Sequence, residues 1–104
     1  MPKPFRRFEL LLPIRFNDGS DVPDELLERT VQEIRDQFGG TGMHNSAGQW
    51  VHQGKLYRDQ NVRVYVDVPD MPENRQFFLH FKERLKERFQ QIDIWVTTYP
   101  LEIV

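Results

Sequence analysis

His52, Tyr57 and Asp59 are the side chains in this sequence that come closest to a catalytic set. An imidazole, a phenol and a carboxylate facing one way from a hairpin could line a pocket and move a proton, as hydrolytic or nuclease chemistry requires. Other combinations are poorer. His44 and His52 are separated by a loop at a spacing that suits no metal site, and His80 falls beside the apolar stripe of a helix, so no metal ligand set is assigned. The chain has no cysteine, which excludes thiolate ligands, cysteine nucleophiles and disulfide staples. Ser20 and Ser46 sit in turn clusters without the glycine context of a nucleophile elbow. Gly39-Gly40-Thr41-Gly42 is glycine-rich but follows a helix, where glycine stops the helix; a phosphate cradle needs the helix start. No cofactor is implied.

A second group lies on strands. In Val62-Arg63-Val64-Tyr65-Val66-Asp67-Val68 four valines alternate with Arg63, Tyr65 and Asp67, the period of a strand with one buried face. The stretch Ile92 to Tyr99 sends Ile94 and Val96 inward and Trp95, Thr97 and Tyr99 outward, with Pro100 expected to interrupt it. A first strand over Phe8 to Phe16 turns Phe8, Leu10, Leu12, Ile14 and Phe16 to the core, and Pro13 predicts a bulge or strand end there. Its other parity holds Glu9, Leu11 and Arg15. The outward face is therefore expected to carry Leu11, Arg15, Arg63, Tyr65, Asp67, Trp95, Thr97 and Tyr99. The charges on it read as cross-strand ion pairs. Three large aromatics on it are more apolar surface than idle solvent exposure accounts for.

Two helices must cover the buried face. Leu27, Val31, Ile34 and Phe38 recur at helical spacing, after Asp21 as expected cap with Pro23 and Asp24 behind it, and before Gly39-Gly40. Phe78, Phe81, Leu85 and Phe89 form the second stripe, and Asp70-Met71-Pro72-Glu73 repeats the first helix's opening grammar. Thr41 to Gly48 is polar and reads as a short extended piece and then a loop. Gln49 to Asp59 suggests an extra hairpin around Gln53-Gly54. The order strand, helix, strand, strand, helix, strand predicts an α+β chain of ferredoxin-like β-α-β-β-α-β form: a four-stranded antiparallel sheet with both helices on one face.

The blocks Phe38-Gly39-Gly40, Gly48-Gln49-Trp50, Gly54 to Asp59, and Leu85 to Gln91 before Ile94-Trp95-Val96 resemble a family of short single-domain bacterial proteins to which no function is assigned. The resemblance implies the plait and a freestanding protein, and it carries no catalytic residue. The 104 residues suit one domain over 1–104, with 1–6 as a flexible basic tail. The net charge of −2 with mixed signs argues against nucleic acid as partner. No run approaches the roughly 18 apolar residues of a membrane span, and a cytoplasmic protein is expected. The sequence favours a non-catalytic binding or assembly module that homodimerises through the aromatic sheet face. A small-molecule ligand or a protein partner on that face, and a small enzyme using His52, Tyr57 and Asp59, are the other readings.

Overall fold

The computed structural model describes residues 4–39, 43–45 as backbone, and 61–104. The elements are β1 (Phe5–Pro13), α1 (Asp24–Phe38), β2 (Asn61–Pro69), α2 (Pro72–Arg88) and β3 (Trp95–Leu101). β1 lies between β2 and β3 and is antiparallel to both. Period-two alternation is the cause. Phe8, Leu10 and Leu12 with Val62, Val64, Val66 and Val68 are buried and join one cluster with residues of both helices. These include Leu27, Val31 and Ile34 of α1 and Phe78, Phe81 and Leu85 of α2. One sheet face thus lies under both helices, and among the described residues no element covers the other parity, here called the bare face. The rings interlock across the layers: Phe78 stacks on Phe8 at 4.3 Å and on Phe38 at 5.6 Å between centroids.

The four-stranded ferredoxin-like plait expected from the sequence is corrected. Among the described residues the fold is α+β with three antiparallel strands in the order β2-β1-β3 and two helices. Within Thr41 to Gly48, read as a short extended piece and then a loop, the described residues Met43–Asn45 are extended and set against Val66, Tyr65 and Val64 on the outer edge of β2. The sequence from Thr41 to Gly48 has no alternating apolar run, so its pattern alone does not specify a full strand. The hairpin expected near residues 49–59 lies outside the described residues.

Boundaries also move. β1 begins at Phe5, so Phe5 and Arg6 of the expected tail are sheet, and Arg6 bonds Asp70 at 3.2 Å. β1 ends at Pro13, and Ile14 to Phe16 leave the sheet toward a turn closed by Gly19 at φ 88°. Asp21 is not the cap of α1; it answers Arg15 at 3.0 Å, and the helix starts three residues later behind Pro23. Gly39 ends α1 in the left-handed conformation, as glycine there predicts.

Of the two outcomes expected at Pro13 the strand end is the one observed, without a bulge, and β3 runs through Pro100 to Leu101. The ladder explains both. The Asp70 amide donates to the Pro4 carbonyl at 3.0 Å, which makes Phe5 and Pro69 a non-hydrogen-bonded pair. Alternation along β1 then aims the backbone groups of Phe5, Arg7, Glu9 and Leu11 at β3 and those of Arg6, Phe8, Leu10 and Leu12 at β2. Pro13 and Pro69 fall where the β1–β2 ladder asks for no donor. Trp95, Thr97, Tyr99 and Leu101 answer β1, so the nitrogen of Pro100 lies on the outer edge of β3. All three strand prolines cost the β1 ladders nothing.

The helices are clamped to each other by charge. Arg88 bonds Glu33 and, at 2.9 Å, the Thr30 hydroxyl; Thr30 is fully buried and donates to the Leu26 carbonyl at 2.8 Å. Among the described residues, no helix is long and apolar enough to cross a membrane.

Candidate functional site

Register builds the bare face in rows. Arg63, Leu11 and Trp95 lie side by side; next come Tyr65, Glu9 and Thr97; then Asp67, Arg7 and Tyr99. The expected residues Leu11, Arg63, Tyr65, Asp67, Trp95, Thr97 and Tyr99 are therefore brought together. Arg15 is not. It stands past the end of β1 in a bridge with Asp21, because the chain leaves the sheet after Pro13.

Two residues complete the face. Arg7 grips Asp67 with both ends of its fork, Nε to Oδ1 at 2.6 Å and Nη2 to Oδ2 at 2.9 Å. Its guanidinium carbon lies 4.5 Å from the Tyr65 ring centre, a cation–π contact. Hydrogen bonding to Asp67 holds the guanidinium well above its ordinary range, against the opposing pull of burial. Glu9 receives Arg63 at 3.4 Å in the row beside it. Sequence reasoning missed Arg7 because the strand was started at Phe8. Its parity with Glu9 and Leu11 was the available signal.

The arrangement sets two cations against two carboxylates in two neighbouring pairs. The Asp67 and Glu9 side chains keep only 13 % and 15 % of their exposure. Each carboxylate is engaged by a guanidinium from the neighbouring strand. The rings are different: Trp95 is 67 % exposed and Tyr99 40 % exposed. The face thus offers stacking and apolar contact between internally neutralised charges.

The other candidates do not converge on it. His52, Tyr57 and Asp59 lie outside the described residues. His80 is exposed on α2, its Nε2 2.9 Å from the Gln76 amide nitrogen. The backbone of His44 lies opposite Tyr65. Among the described residues no three histidine, aspartate or glutamate side chains group as metal ligands would. No protein-family model, no curated protein and no solved structure matches the chain.

Proposed function

We propose that this chain is a non-catalytic binding and assembly module whose bare sheet face docks on the same face of a second copy. The observation that carries the reading is the pairing of charge within the face. Arg7 with Asp67 and Arg63 with Glu9 sum to zero and satisfy each other, so the face presents no net field to a like copy. Burying these already partnered groups costs less than burying free ones. The gain comes from Leu11, Tyr65, Trp95 and Tyr99, with a fully buried large side chain contributing roughly 1.5–3 kcal/mol.

A two-fold axis through the face would set each row against a row of the partner, the usual geometry of homodimers. Its extent limits its strength. Three strands over these rows make roughly 20 by 20 Å with side chains, about 400 Å2 a copy, half of a standard interface. The dimer is therefore expected to dissociate on dilution. The enzymatic alternative rests on His52, Tyr57 and Asp59, and nothing described favours it.

Sedimentation equilibrium over a wide concentration range tests the proposal. The wild-type mass should rise above one copy with concentration, and Tyr65→Ser combined with Trp95→Ser should lower the mass at every concentration where the wild type associates. A wild type that is a monomer throughout, or a dimer indifferent to the double substitution, refutes it.

A further inference from the structure

The outer edge of β3 has backbone groups that the face contact does not use. Among the described residues, β3 pairs on one side only, with β1. Its sequence, Trp95-Val96-Thr97-Thr98-Tyr99-Pro100-Leu101, contains no charge, although edge strands are commonly protected by charged side chains. Exposed apolar surface gathers there too. Among the described residues, five of the seven large apolar side chains left exposed lie in or beside this strand: Ile92, Trp95, Tyr99, Ile103 and Val104. Ile92 is 93 % exposed.

The direction of the backbone groups follows from the ladder. Trp95, Thr97, Tyr99 and Leu101 are spent on β1. Val96 and Thr98 point their amides and carbonyls outward, and Pro100 offers only a carbonyl. From this we infer that β3 pairs antiparallel with the β3 of a second copy, about a two-fold axis at Thr98, as a self-association surface separate from the bare face.

The strand is complementary to itself in that register. Thr98 faces Thr98 of the second copy, and the two exchange both backbone bonds. Val96 faces Pro100, its amide donating to the proline carbonyl, so the missing proline donor is needed only once on each side. Thr97 meets Tyr99 and Trp95 meets Leu101, pairs of the β-branched and aromatic kind that stabilise sheets. Continued past the strand ends, the same register sets Ile92 against Val104. It also places Asp93 opposite Ile103 and Glu102 opposite Ile94, so no like charges are opposed. A partner of different sequence would need to match this spacing of donors, whereas a second copy matches it by symmetry.

Amide hydrogen exchange on the full chain, followed by NMR at several protein concentrations, reads this contact directly. In a dilute sample the Val96 and Thr98 amides should exchange fast while Thr97 and Tyr99 are protected. Raising the concentration should slow Val96 and Thr98 by about tenfold or more. Face-to-face stacking supplies no acceptor in the plane of the sheet, so a failure of the face contact leaves this result unchanged. Likewise Tyr65→Ser, two strands from this edge, tests the face alone. Thr98→Pro removes an outward amide that β1 does not use, and it should abolish the concentration-dependent protection of Val96. Fast exchange at every concentration overturns the inference. So does protection that ignores concentration, which would mean that the chain covers its own edge. If Thr98→Pro unfolds, seen as lost protection at Thr97 and Tyr99, the wild-type concentration series decides by itself.

Discussion

Arg7 and Arg63 carry the same charge on the same sheet face, yet they are not equivalent. Arg7 keeps 26 % of its side-chain exposure, makes two charge-assisted bonds to Asp67 and covers Tyr65. Arg63 is 59 % exposed and reaches Glu9 at 3.4 Å. Arg7→Gln leaves a largely buried carboxylate without its fork and should cost about 2 kcal/mol. Arg63→Gln should cost well under about 1 kcal/mol, the range of exposed pairs. Urea midpoints of the two variants measured together check the difference, and equal losses would mean that burial is not what separates them. Most of this face was legible in the sequence, but its pairing was not. Alternation alone placed Tyr65, Asp67, Trp95 and Tyr99 on one face, because parity is a local property. That Arg7 would be the partner of Asp67 was not, since the two are brought together by a register spanning 60 residues.

The two helices end differently, and the ends can be compared by substitution. α1 closes on Gly39 at φ 69°, with open space where a Cβ would stand. α2 closes in a Schellman motif, the Gln90 amide on the Glu87 carbonyl and the Gln91 amide on that of Lys86. There the left-handed position is filled by Gln90 at φ 55°. Side chains disfavour that conformation, so Gln90→Gly should raise the thermal midpoint and Gly39→Ala should lower it, each by about 1 kcal/mol in stability. A Gln90→Gly variant no more stable than wild type would show that the Gln90 side chain contributes as much as the backbone loses. The stop at Gly39 could be foreseen because glycine signals it; the stop at Gln90 could not, because glutamine does not. The strand prolines show the same limit. Pro13 reads locally as a strand end and is one, while Pro100 reads as a break and is not, because whether a missing donor matters depends on which neighbour that donor would face. That is decided by pairing with residues far along the chain.

At the scale of the whole molecule, two helices rest on three strands through one apolar layer with no covalent staple. Phe81 and Leu85 from α2, Ile34 from α1 and the four valines of β2 are essentially inaccessible. Phe81→Ala should therefore lose about 3–5 kcal/mol, a large share of what a domain of this size has available. Calorimetry should show one cooperative transition shifted down; a separate early transition would mean that α2 is not part of a single cooperative unit. The α+β layering was readable from apolar periodicity, which is strong in β2 and both helices. The number of strands was not, since the polar stretch after Gly39 carries no such period.

Pro100 bears on whether this edge can support runaway aggregation. A bare, uncharged strand rim is what amyloid-type zippers grow from. Here the rim holds just two outward donors before the pyrrolidine ring, so a foreign strand that slips along it finds a carbonyl facing a nitrogen without hydrogen. Growth by sliding is thereby starved of bonds. An isologous match, which consumes both β3 rims at once, leaves neither of them open to recruit a third chain.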